Sequence, residues 1–217
     1  GFSLAGLSIP CRSVGGDFFD YLQLPQGLVG VLLGDVAGKG LPAALLMSSL
    51  MARVQVLAEV TSDPAELVTR LNRIFALSCP ANRFVTFFLL VLDPATGEFT
   101  YCNAGHNPPY LRRASGEIEQ LADGGPVVGV LKKFTYHGVK GQLNAGDSIL
   151  LYSDGVTEAR SPLDEEFGEE RLEAMVRECP GCHASELLRR LHLPVEMFMS
   201  TAPSADDLTM VVLRRDP

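Results

Sequence analysis

Phe84-Val85-Thr86-Phe87-Phe88-Leu89-Leu90-Val91-Leu92 is followed by Asp93-Pro94-Ala95-Thr96-Gly97, and that by Glu98-Phe99-Thr100-Tyr101-Cys102-Asn103. The first stretch reads as a continuous apolar strand, long enough to lie in a buried sheet. The second is a turn, and the third is the returning strand of a hairpin. Working upstream, Leu41 to Val60 has apolar residues at helical spacing, with Pro42 in the first turn, where a missing N–H costs little. A second helix starts at Asp63-Pro64, with Asp63 as N-cap, and runs to about Leu77. Before these helices come strands over Phe2 to Ile9, Asp17 to Leu24 and Leu28 to Leu33, the last two separated by the turn Pro25-Gln26-Gly27.

Working downstream, strands are predicted over Pro109 to Arg113, Ile118 to Leu121, Phe134 to Gly138, Ser148 to Tyr152 and Leu208 to Arg214. Helices are predicted over Phe167 to Cys179 and Ala184 to Met197, with Pro194 a candidate break in the latter. Helices grouped in pairs between antiparallel strands favour an α+β fold over alternating βαβ units. A four-layer α-β-β-α sandwich, two mainly antiparallel sheets flanked by helix pairs, would bury these apolar strands on both faces. The 217 residues suit a single domain over 1–217, cut from a longer protein.

With 26 acidic and 18 basic residues the formal charge is −8. Nucleic-acid binders carry a basic excess, so nucleic acid is not an expected partner. No apolar run is read as approaching the roughly 18–20 residues that span a bilayer, so no membrane contact is expected of this domain. Gly1 to Pro10 lacks the basic flank and cleavage site of a signal peptide. Cys11, Cys79, Cys102, Cys179 and Cys182 form no disulfide framework, and reduced thiols in a cytoplasmic protein are the simpler expectation.

Four segments share one design, an Asp at a strand end beside glycine or a second acid. They are Val14-Gly15-Gly16-Asp17, Leu32-Leu33-Gly34-Asp35, Leu151-Tyr152-Ser153-Asp154-Gly155 and Ala205-Asp206-Asp207-Leu208. Mg²⁺ and Mn²⁺ favour such hard oxygen ligands. Two carboxylates about 4 Å apart repel by roughly 4 kcal/mol at an effective dielectric near 20. Gathering four without a cation would consume much of a typical stability of about 5–15 kcal/mol. If these strand ends converge, metal is expected; the competing reading makes each Asp a turn former or helix cap.

Val14 to Asp20, Gly34-Asp35-Val36-Ala37-Gly38-Lys39-Gly40-Leu41-Pro42-Ala43, Asn103-Ala104-Gly105-His106-Asn107-Pro108-Pro109, Tyr152 to Glu158 and Asp206 to Val212 occur in that order. Together they closely resemble the SpoIIE/RsbU branch of the metal-dependent, type 2C-like protein phosphatases (PPM), over nearly the whole chain. The resemblance implies a β-sandwich flanked by helices and two Mn²⁺ or Mg²⁺ ions per active site. It assigns Asp35 as the carboxylate shared by both ions. One ion would take Asp17 and the Val36 carbonyl, the other Asp154 and Asp206, with Asp207 the fallback. The implied reaction is attack of an activated water on a phosphoserine or phosphothreonine of a protein. Arg12, five residues before Asp17, is a candidate phosphate clamp; the competing reading is a surface residue. His106 reads as a structural histidine or a proton donor, and Asp20 as a hydrogen-bonding residue rather than a ligand.

The resemblance further implies a bacterial signalling role in sigma-factor regulation. The substrate would be a phosphorylated STAS-domain anti-sigma-factor antagonist, and a sensor domain would precede the phosphatase in the full-length protein. A homodimer stays open, and the helices near Leu41 to Leu77 would shift to complete or disrupt the metal site. The alternative is a catalytically inactive phosphatase-like binding module. A nucleotide-processing two-metal domain lacks recognisable base and ribose contacts. Gly38-Lys39-Gly40-Leu41-Pro42-Ala43 fits a loose dinucleotide pattern without the βαβ context, and is not a P-loop. Cys179-Pro180-Gly181-Cys182-His183 has the haem-attachment spacing but reads as an interhelix turn. Asp164-Glu165-Glu166 and Glu169-Glu170 read as a solvated loop and helix start.

Overall fold

The structure, a computed structural model, describes residues 1–77, 79–80, 82–178 and 182–216. Its strands are β1 (Phe2–Ile9), β2 (Asp17–Gln23), β3 (Val29–Val36), β4 (Val85–Leu92), β5 (Glu98–Ala104), β6 (Tyr110–Arg112), β7 (Ile118–Gln120), β8 (Gly124–Gly125), β9 (Val139–Gln142), β10 (Ser148–Tyr152) and β11 (Leu208–Arg215). Its helices are α1 (Leu41–Ala58), α2 (Pro64–Phe75), α3 (Asp154–Thr157), α4 (Glu169–Glu178) and α5 (Ala184–Met199). They form two compact units, each built from non-contiguous stretches of chain. This is the expected α+β composition, with two mainly antiparallel sheets and a helix pair for each.

One unit comprises Val14–His106 and Ala122–Gln142. Its sheet runs β2-β3-β4-β5-β8, with β9 also paired to β5. All pairs are antiparallel except β5 with β8. Phe87 and Leu89 of β4 join the core formed with α1 and α2, while the alternate residues Phe88 and Leu90 are equally buried on the other face. The apolar stretch that opens the hairpin is therefore buried on both sides, as its composition demands. Leu67, Val68, Leu71 and Phe75 make the buried stripe of α2, each contributing about 1.5–3 kcal/mol by leaving water.

Asp63 caps α2 as expected: its Oδ1 accepts from the N–H groups of Ala65 (2.9 Å) and Glu66 (3.4 Å). Asp63→Ala should cost about 1 kcal/mol, read as a lower urea midpoint at unchanged slope. Phe134 to Gly138 is a correction, because it is not a strand; the strand begins at Val139. Phe134 and Tyr136 meet edge to face and pack into the helix-side core, and the Tyr136 N–H donates to Thr69 Oγ1 at 3.0 Å. Their alternation reflects two aromatic anchors, not a ladder.

The apolar length of α1 is a second correction. Its 18 residues have a mean hydropathy of 1.5, enough by length and composition to cross a membrane. Ser48, Ser49, Arg53 and Gln55 interrupt the run without lowering the average far. Ala43, Leu50, Val54, Leu57 and Ala58 are buried, whereas Leu41, Leu45 and Val56 are exposed.

The other unit comprises Gly1–Ser13, Asn107–Leu121 and Leu143–Pro217. Its sheet runs β1-β11-β10-β6-β7, entirely antiparallel. Leu150, Tyr152, Met210 and Val212 share a core with α4 and α5. Buried Asp147 accepts from the Ala114 N–H (2.8 Å), the Asn144 N–H (3.0 Å) and Arg113 Nη1 (3.0 Å), so its charge is well satisfied. Helix α4 starts at Glu169, not Phe167, whose N–H donates to the Ala159 carbonyl ahead of the helix. Helix α5 continues through Pro194 rather than breaking there. Its buried stripe Ala184, Leu187, Leu191 and Val195 outweighs the proline's cost of about 3 kcal/mol. Cys11, Cys79, Cys102 and Cys182 form no disulfide among the described residues.

Candidate active site

Strands β2 and β3 put two carboxylates side by side. Asp17 and Asp35 are direct cross-strand partners, and Asp35 also faces Thr86 on β4. Asp17 is 8% exposed and Asp35 half-buried. Like charges directly opposite each other on one sheet face are destabilising, so the sequence accepts a cost here. Gly34, next to Asp35, lies so close to the Phe18 and Phe87 rings that a Cβ would collide with both. That packing fixes the strand that carries Asp35.

Gly16 reveals what the strand ends surround. A Cβ there would lie 3.0 Å from the Val36 carbonyl oxygen, 3.3 Å from that of Gly38 and 3.4 Å from Asp35 Oδ1. Three oxygens therefore lie within 3.4 Å of the place where a side chain at position 16 would begin, a space that glycine leaves open. An all-oxygen set of carboxylates and backbone carbonyls is the chemistry Mg²⁺ and Mn²⁺ select, so these residues fit such an ion.

The loop after β3 is held firmly. The Ala37 N–H donates to the Phe84 carbonyl at 2.9 Å, and Arg83 Nη1 donates to the Ala37 carbonyl. Gly38 has φ +108°, and the Arg83 guanidinium fills the space its Cβ would need. His106 is buried, its Nδ1 lies 2.8 Å from Thr86 Oγ1, and Asn103 bonds both its backbone N–H and its carbonyl. Those bonds support a loop-fixing role for His106. Asp20 accepts from the Tyr21 N–H and from Gln55 Nε2, the hydrogen-bonding role expected of it.

In the other unit Asp154 opens α3, directly after Ser153. Ser153 Oγ donates to the Asp207 carbonyl (3.1 Å) and accepts from the Thr209 N–H (3.0 Å). Gly155 sits against the Asp207 carbonyl so closely that a Cβ would overlap it. These contacts hold Asp154 beside the Asp206-Asp207 pair. Buried Asp207 accepts the Cys11 N–H at 2.8 Å, and half-buried Asp206 accepts the Asp207 N–H at 3.0 Å. The ligating atoms of Cys11, Asp206 and Asp207 lie within 4.8 Å of one another. Arg12, next along from Cys11, is exposed.

A family model described as Stage II sporulation protein E (SpoIIE) matches residues 25–216. The chain belongs to the SpoIIE family. Among curated relatives, Phosphoserine phosphatase RsbU of Bacillus subtilis (strain 168) is 29% identical over 214 residues, covering 98% of this chain and 63% of RsbU. The chain spans less than two thirds of the length of such relatives. The SiaA-PP2C domain of Pseudomonas aeruginosa superposes with a TM-score of 0.87 at 22% identity, covering 98% of this chain and 86% of that one. RsbX in complex with magnesium superposes with a TM-score of 0.69 at 17% identity, over 98% and 94% of the two chains. The fold is thus that of PP2C phosphatase domains.

This SpoIIE-family chain brings Asp17, Asp35 and the Val36 carbonyl together in one unit, and Asp154 with Asp206 in the other. The dinucleotide pattern at Gly38 is set aside, because β3 leads into two successive helices and then an antiparallel strand. The Cys179-to-His183 motif falls partly outside the described residues; His183 Nδ1 lies 3.1 Å from Ser185 Oγ. Sequence reasoning missed Gly16 as an oxygen cradle, Ser153 and Gly155 as the clamp on residues 206–207, and Arg83 on the loop after Asp35. Glycines flanking the acids were the visible signal for the first two. Arg83 gave none.

Proposed function

We propose that this domain hydrolyses phosphoserine or phosphothreonine on a protein, using two Mn²⁺ or Mg²⁺ ions. The observation that carries the reading is the cross-strand pair Asp17 and Asp35 beside the oxygen cradle at Gly16. Asp17, Asp35 and the Val36 carbonyl would hold one ion; Asp35, Asp154 and Asp206 the other. Asp206 is favoured over Asp207 because the family pattern places its ligand first in the motif that reads Asp206-Asp207-Leu208-Thr209 here. When bound, such ions supply an acidified water and offset phosphoryl charge. The aspartates' part is to hold fixed negative charge where the ions sit, so little reorganisation is left for the reaction itself. Arg12, exposed in the segment that carries Cys11, is the proposed clamp for the incoming phosphate.

RsbU bears the name phosphoserine phosphatase, which supports the choice of phosphoserine. The proposed substrate is a phosphorylated STAS-domain anti-sigma-factor antagonist. Incubating the chain with such a phosphoprotein should release inorganic phosphate when Mn²⁺ is supplied, and release should stop with a chelator. A correctly folded chain that releases none with Mn²⁺ present would replace this reading with an inactive binding module.

A further inference from the structure

The segment from Asp35 to Gly40 supplies one carboxylate and two backbone carbonyls to the space beside Gly16, so its path decides whether those oxygens stay close together. A carbonyl cannot choose its direction independently of its neighbours; it follows the peptide planes on either side. Ala37 sits between the two carbonyl-bearing residues, and both of its backbone groups are tied to one strand entry. Its N–H donates to the Phe84 carbonyl, and its carbonyl accepts from Arg83 Nη1. Arg83 is itself anchored, its N–H donating to the Pro80 carbonyl at 3.0 Å and its carbonyl accepting from Cys79 Sγ at 3.2 Å. Gly38 completes the arrangement. Its φ of +108° lies where side chains are strained, and its missing Cβ is the space that the guanidinium occupies.

We propose that Arg83 is a positioning residue that fixes the Ala37 peptide, so that the Val36 carbonyl stands with Asp35 Oδ1 where a divalent cation would bind, the Gly38 carbonyl lining the same space. This rests on the metal reading above. Arg83 acts through the loop and touches neither cation nor substrate. Its planar fork can bond the carbonyl and cover the glycine at once, which an ammonium cannot do.

The test is Mn²⁺ affinity, measured from the free-ion electron paramagnetic resonance signal, for wild type, Arg83→Met and Arg83→Lys. Supporting residues of this kind typically change metal affinity by about 10–100-fold, which is the loss expected for Arg83→Met at retained circular dichroism. Arg83→Lys should recover part of it, since one ammonium donor still reaches the Ala37 carbonyl. A folded Arg83→Met variant binding Mn²⁺ within about twofold of wild type would overturn the proposal, given the range expected for such residues. Should the methionine variant not fold, the lysine variant decides: weaker binding supports the role and unchanged binding overturns it. A wild-type chain that binds no Mn²⁺ would instead sink the metal reading itself.

Discussion

Asp35→Asn should lower phosphate release by about 10³-fold or more, equivalent to roughly 4 kcal/mol of barrier, while leaving the metal-free protein at least as stable as wild type. The two halves of this expectation have one cause. Asp35 sits on β3, an inner strand of its sheet, directly opposite Asp17, with Gly34 beside it locked under Phe18 and Phe87. Asparagine keeps the shape, so the packing survives. Removing one of the two facing charges, Asp17 buried and Asp35 half-buried, relieves a repulsion of at least about 0.2–1 kcal/mol. The same charge is what the proposed ions require. Phosphate release and thermal unfolding in chelator should therefore move in different directions. A residue that merely supported the fold would lose both together.

Gly155→Ala carries the second largest expected effect, because its new methyl would fall on the Asp207 carbonyl. Backbone cannot swing aside as the end of a side chain can. Overpacking of this kind costs about 1–3 kcal/mol, and a chain of this size loses about 2–4 °C of Tm per kcal/mol. The strain would push residues 206–207 away from Asp154 and disturb the bonds from Ser153 Oγ. Phosphate release should fall further than the stability loss explains when measured well below Tm. Unchanged activity and Tm would show that this clamp tolerates a methyl group.

Much of the fold was legible because the deciding signals were local. Phe84 to Leu92 declared a buried strand by composition, and Asp63-Pro64 declared a helix start by a cap whose two bonds span three residues. Errors arose where distant contacts overrode local pattern. Phe134 to Gly138 alternates like a strand, but Tyr136 spends its N–H on Thr69, a partner 67 residues away. Pro194 looked like a break, yet tertiary burial of one stripe carries α5 through it. The acids of the site were legible as types in repeated settings beside glycine. Their pairing was not, because Asp17 and Asp35 become neighbours only through strand register. Gly16 and Gly38 were visible as glycines, but a sequence does not say which atoms fill the space a side chain would have taken.

Anomalous scattering from crystals soaked in Mn²⁺ tests the central claim most directly. The account predicts two ions per chain that share the Asp35 carboxylate, one also bound by Asp17 and the Val36 carbonyl, the other by Asp154 and Asp206. Density showing no ion at Asp35 under saturating Mn²⁺, or ions held elsewhere with Asp17 and Asp35 untouched, would contradict it.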